Sequence, residues 1–216
     1  MKQYSSERAI ISLTSWKGRI NTVGRTLFSL LKTCPGFHVV LVLSEEEFPR
    51  KEAELPDTVT AFVEQDLIEI LWVYRNVKTM KKVIFTMAKY PDVPVISADD
   101  DCIYTCNYAE DLYRAWEGRK DSIFRYAYRP GHEHMTQGPC TIYPPENVCH
   151  YHERMIAEVD FGMSVGDDDA GQRVIRKYGI PVGCVGKPNP FVFHTTEGAM
   201  HRNQWKCRFY RGCFPT

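Results

Sequence analysis

With 216 residues, 44% hydrophobic and 12% aromatic, the chain has the length for one sizeable core and is short for two independent domains. Lys+Arg and Asp+Glu both number 27, and the resulting formal net charge of zero argues against nucleic acid or an acidic polymer as partner. No apolar stretch approaches the roughly 18 to 20 residues of a membrane span, and residues 1–8 lack the apolar core of a secretory leader, so the expected location is the cytoplasm.

Ala9-Ile10-Ile11-Ser12-Leu13 reads as a first strand. Asn21-Thr22 then offers a cap for a helix with apolar positions Val23, Leu27, Leu30 and Leu31, which Pro35-Gly36 stops. A β-branched run over 37–43 is the second strand, and a polar connection through Pro49 and Pro56 leads to a third over 67–74. Met80, Val83, Ile84, Met87 and Ala88 mark one face of a helix ending at Tyr90-Pro91. A fourth strand, Val93-Pro94-Val95-Ile96, follows. Strands alternating with helices imply an α/β domain with a mostly parallel sheet flanked by helices.

Beyond it, Asn107-Tyr108-Ala109-Glu110 resembles a capping box opening a helix that buries Leu112, Ala115 and Trp116. Residues 122–129 read as a strand, 132–145 as a long loop, and helical spacing at Val174, Ile175 and Tyr178 precedes a last strand over 180–185. Eight cysteines include no C-x-x-C pair, so free buried thiols are expected rather than zinc ligands or disulfides.

The fourth strand ends in Asp99-Asp100-Asp101. Three adjacent carboxylates repel one another, and a buried strand finishes that way only where a cation offsets them. Ligands gather at the carboxyl ends of strands in open α/β sheets, and hard oxygen donors suit Mg2+ or Mn2+ carrying a diphosphate. The bland alternative is a solvated turn.

Five segments in order resemble glycosyltransferases of the GT-A fold that use nucleotide sugars, close to family 2 and to bacterial capsule and lipopolysaccharide enzymes. They are Ser12-Leu13-Thr14-Ser15-Trp16-Lys17-Gly18-Arg19-Ile20, Lys78-Thr79-Met80-Lys81-Lys82, Ala98-Asp99-Asp100-Asp101-Cys102-Ile103-Tyr104, Ile142-Tyr143-Pro144-Pro145, and Gly166-Asp167-Asp168 ahead of Gly179-Ile180-Pro181-Val182. The resemblance covers residues 8–187. It implies a single GT-A (Rossmann-like) domain, with a nucleotide-binding half over 8–130, an acceptor-side half over 131–200 and a basic, aromatic tail over 201–216.

By resemblance Thr14, Ser15 and Arg19 embrace the nucleotide with Lys82, Asp99 and Asp100, while Asp101 and Asp99 bind Mn2+ or Mg2+ bridging the donor diphosphate. His194 is a third metal ligand with His201 as an equal rival. The second triplet, Asp167-Asp168-Asp169, supplies the carboxylates that receive the acceptor hydroxyl: Asp168 as general base, with Asp167 beside it and Asp169 in the first helical turn.

The implied activity is inverting, metal-dependent transfer of a sugar from a nucleoside diphosphate sugar, UDP-sugar being the commonest donor, to a saccharide or lipid-linked acceptor. The tail interleaves basic and aromatic residues, which would permit peripheral membrane contact or simple packing onto the sheet. Two other readings stay open: a sugar nucleotidyltransferase on a related sheet, and a non-catalytic carbohydrate- or cation-binding module.

Overall fold

A computed structural model describes residues 8–126, 138–158, 167–187 and 190–194, with the side chains of 167–169 excluded. The strand reading of 127–129, the 132–137 part of the expected loop, His201 and the tail lie outside the described residues.

Strands β1 (Ile10–Thr14), β2 (His38–Ser44), β3 (Glu69–Val73) and β4 (Val95–Ser97) form the parallel part of a seven-stranded sheet of order β3-β2-β1-β4-β7-β6-β8. β6 (Ile123–Arg125) and β8 (Val182–Cys184) run parallel to each other, and β7 (Thr141–Tyr143) lies antiparallel between β4 and β6. The expected α/β fold with a mostly parallel sheet is therefore observed.

β1 and β4 are fully buried, and β2 nearly so, because both faces of the sheet are covered. The strands' period of two sorts their side chains. Ile11, Leu13, Val39, Leu41, Leu43 and Ile96 join one apolar cluster with helix α1 (Val23–Thr33), helix α2 (Asp57–Glu64) and helix α4 (Tyr108–Glu117). On the other face, Val95, Ile123 and Tyr143 pack with α3 (Lys81–Lys89), α6 (Tyr151–Glu158) and α7 (Asp167–Tyr178). A short α5 (Glu146–Cys149) precedes α6.

Several expectations need correction. Thr22 precedes α1, but its hydroxyl turns back to Arg19 O at 3.0 Å and caps nothing. The stop at Pro35-Gly36 holds, with Gly36 at a φ of 82° that a side chain would disfavour. The connection through Pro56 contains α2, whose β-branched, polar sequence buries only Val59 completely. Part of the expected long loop is β7. Asn107 does cap α4, accepting from Glu110 N at 3.1 Å.

A separate two-stranded ribbon pairs β5 (Cys102–Tyr104) antiparallel with β9 (Phe191–Phe193), Cys102 opposite Phe193. The six described cysteines are free thiols, four of them buried. Among the described residues, no helix is long and apolar enough to cross a membrane.

Candidate active site

The end of β4 is held between its neighbours: Ala98 N donates to Ser12 O at 2.9 Å and Cys140 N to Ser97 O at 2.8 Å. The acidic triplet therefore leaves the sheet at its centre, beside the loop after β1. That loop is a tight turn in which Arg19 N and Ile20 N both donate to Trp16 O. It returns Arg19 over the triplet.

The Arg19 guanidinium bridges two carboxylates, with Nη2 at 2.9 Å from Asp100 Oδ1 and Nη1 at 2.6 Å from Asp101 Oδ2. Ser15 Oγ donates to the other Asp100 oxygen at 2.6 Å. Asp99 pairs instead with Lys82 on α3, at 2.5 Å, and its backbone N–H donates to the Tyr104 hydroxyl at 2.9 Å. All three negative charges thus face a cation of the protein itself. Burial pushes the Asp100 carboxyl up to about 6 even though Arg19 and Ser15 oppose the shift.

Thr14 is placed beside this group but donates its hydroxyl to Val42 O at 2.7 Å, tying β1 to β2. Lys81 is as buried as Lys82, yet its ammonium goes to Glu47 and Asn76, both at 2.9 Å. The two adjacent lysines thus serve different carboxylates.

His194 reaches the site through the ribbon. With Cys102 opposite Phe193, the next step along both strands sets His194 against Asp101, and His194 N donates to Asp101 O at 3.0 Å. Thr26, on the buried side of α1, donates to Asp100 O at 2.9 Å and lies 3.1 Å from His194 Nε2. With the Thr26 proton committed to Asp100, Nε2–H is the donor to Thr26, and Nδ1 carries the lone pair. Among the described residues that buried Nδ1 has no hydrogen-bond partner, and burial lowers the ring's pKa, which favours the neutral form. A neutral imidazole with a bare nitrogen is a fit donor for a divalent cation.

The donor set is right in kind for Mn2+ or Mg2+, with carboxylates at a strand end and an imidazole beside them. Its ligand atoms are not gathered in this arrangement. Among the described residues, the three ligand atoms lying within 4.8 Å of one another belong to Glu146, His150 and Glu153. There the buried Glu146 accepts from His152 N and Glu153 N, at 2.7 and 3.1 Å, closing the start of α6, which is a structural role.

Asp167 and Asp168 open α7, where acidic residues suit the helix dipole. The buried face of α7, Ala170, Val174 and Ile175, shares a cluster with Met80, Val83 and Ile84 of the Lys82 segment. The second triplet thus begins on the same side of the sheet as α3. Thr26 and Tyr104 were missed from sequence. Thr26 carries one signal, a hydroxyl on an otherwise apolar helical stripe; Tyr104 stands in the acidic segment that bears the resemblance, with nothing in the sequence to mark its hydroxyl. A furrow of about 750 Å3 lined by Arg25, Phe28, Lys32, Thr58, Phe62 and Ile103 contains none of the expected site residues.

The chain matches no protein-family model and no curated protein sequence. Solved structures do share its fold. A 4-diphosphocytidyl-2C-methyl-D-erythritol synthase superposes with a TM-score of 0.57 at 12% identity, covering 92% of this chain and 98% of the synthase. A mannosyltransferase from Pyrobaculum calidifontis, in complex with GDP-Man and Mn2+, superposes with a TM-score of 0.61 at 12% identity. That match covers 91% of this chain but 59% of the mannosyltransferase, so the chain spans about three fifths of that protein's length.

Proposed function

We propose that the chain is a metal-dependent glycosyltransferase that moves a sugar from a nucleoside diphosphate donor, a UDP-sugar as first choice, to a saccharide or lipid-linked acceptor with inversion. The observation that carries this reading is the acidic triplet at the carboxyl end of the central strand β4, facing Ser15 and Arg19 from the loop after β1 and Lys82 from α3. The shared fold with a mannosyltransferase holding GDP-Man and Mn2+ supports it.

Asp99 and Asp101, with His194, would hold Mn2+ or Mg2+, which when bound stabilises negative charge on the departing nucleoside diphosphate. Lys82 and Arg19 contact the diphosphate oxygens, Arg19 through the same planar fork it now offers two carboxylates. Thr14 and Ser15 line the nucleotide side. Asp168 accepts the proton of the attacking acceptor hydroxyl and Asp167 helps to orient it.

The test is calorimetric titration of UDP, GDP and ADP with and without Mn2+, on the wild type and Asp101→Ala. One nucleotide binding tightly, with a requirement for both Mn2+ and Asp101, is the expected result. A folded protein that binds none of them, or binds cation alone, is a non-catalytic module instead.

A nucleotidyltransferase is the second reading. One observation favours it: the synthase fold is covered over 98% of its length, the mannosyltransferase over 59%. Release of pyrophosphate from a nucleoside triphosphate and a sugar phosphate would decide for it.

A further inference from the structure

We propose that Arg19 is an internal counter-cation whose hand-over from the Asp100–Asp101 pair to the donor diphosphate makes nucleotide and divalent cation bind cooperatively. The inference rests on the nucleoside diphosphate reading above. It concerns how the site is kept before substrate arrives.

Asp100 and Asp101 are both buried, at 2% and 6% exposure, and a single guanidinium spans them. Two adjacent carboxylates in that setting need positive charge, since an unpaired buried carboxylate is strongly destabilising. Arg19 supplies it through its two terminal nitrogens; its buried Nε has no hydrogen-bond partner among the described residues. The hydrogen bonds lost when the side chain swings away are therefore those to the two aspartates.

Asp101 offers Oδ2 to Arg19, while among the described residues Oδ1 accepts from the Cys102 thiol at 3.5 Å, a weak donor. A divalent cation drawn to Asp101 must approach a carboxylate that already carries a guanidinium, and like charges repel at that range. Free protein is thus poorly disposed to metal. A diphosphate presents paired anionic oxygens that match the guanidinium fork as well as the carboxylates do. Once Arg19 turns to it, the aspartates are released to the cation. Linkage is reciprocal, so the nucleotide tightens the metal by the factor by which the metal tightens the nucleotide. Lys82 pairs with the separate and more exposed Asp99, so it is left unchanged in the test of Arg19.

The test is titration of Mn2+, followed by the paramagnetic resonance of the free ion, with and without UDP or GDP. Arg19→Gln without nucleotide should bind Mn2+ on the order of tenfold tighter than the wild type. Nucleotide should sharpen Mn2+ binding more in the wild type than in Arg19→Gln, by about the factor that Arg19→Gln gains without nucleotide. The gain must vanish in Arg19→Gln/Asp101→Asn; a gain that survives there lies elsewhere and overturns the proposal.

Equal or weaker nucleotide-free Mn2+ binding by Arg19→Gln also overturns it, while a wild type that still binds Mn2+ with nucleotide leaves the functional reading standing. Failure of the wild type to bind any nucleotide sinks that reading on its own. Should Arg19→Gln not fold, Arg19→Lys, whose single ammonium cannot span both carboxylates, must show the same gain at smaller size. Circular dichroism confirms the fold of each variant.

Discussion

At the scale of single residues, the acidic triplet separates charge compensation from chemistry. Three consecutive carboxylates predict a cation, and the structure answers with Arg19 and Lys82 from two distant segments. Lys82 is 2% exposed and aimed at Asp99. Lys82→Met should remove about 2 kcal/mol of stability by leaving Asp99 unpaired, and weaken nucleotide binding about tenfold; urea unfolding and calorimetry read the two effects. Tyr104→Phe is the milder probe, because it deletes only the acceptor for Asp99 N–H. It should cost about 1 kcal/mol in the same unfolding assay. Asp168→Asn should leave nucleotide affinity intact and lower transfer by a hundredfold or more, as loss of a general base does, on the order of 100 to 10,000-fold. Normal turnover would remove Asp168 from that role.

At the scale of elements, the outer strand β3 contributes a distinct acid response through Glu69. Glu69 is partly buried, which alone would raise its pKa, but hydrogen bonds from His38, Lys89 and Tyr90 outweigh burial and hold the carboxyl at about 2. A folded-state pKa below the unfolded value of 4.5 gives stability that is fully present above about pH 4.5 and lost as pH falls toward 2. The urea midpoint should drop across that window, by no more than about 3 kcal/mol of stability, and Glu69→Gln should flatten the slope. Elements with strong periodicity, β1, β2, α1, α3 and α4, were legible because their apolar positions repeat within a few residues. α2 was not, since Thr58, Val59, Thr60 and Val63 read as connection and its burial comes from packing onto α1. β9 was invisible for a different reason. Its partner β5 lies some ninety residues earlier, so the register that brings His194 to Asp101 exists only in the folded chain.

At the scale of the whole molecule, the two halves read from sequence share one sheet. β7, from the later half, is inserted between β4 and β6 of the earlier one, with Ile142 opposite both Ile96 and Phe124. β4, which delivers the triplet, is only three residues long and relies on β1 and β7 to hold its end in place. Neither half can then lose its structure without exposing a central strand edge of the other. The protein should unfold in urea as a single transition, with tryptophan fluorescence and far-ultraviolet circular dichroism superimposing. Ile142 is fully buried, and Ile142→Ala should lower stability by about 3 kcal/mol through the cavity it leaves. Both signals should shift to the same lower midpoint. If Ile142→Ala instead split the transition, with one signal unmoved, the sheet would be two cooperative units joined at the β4–β7 seam, and the triplet would belong to the first of them alone.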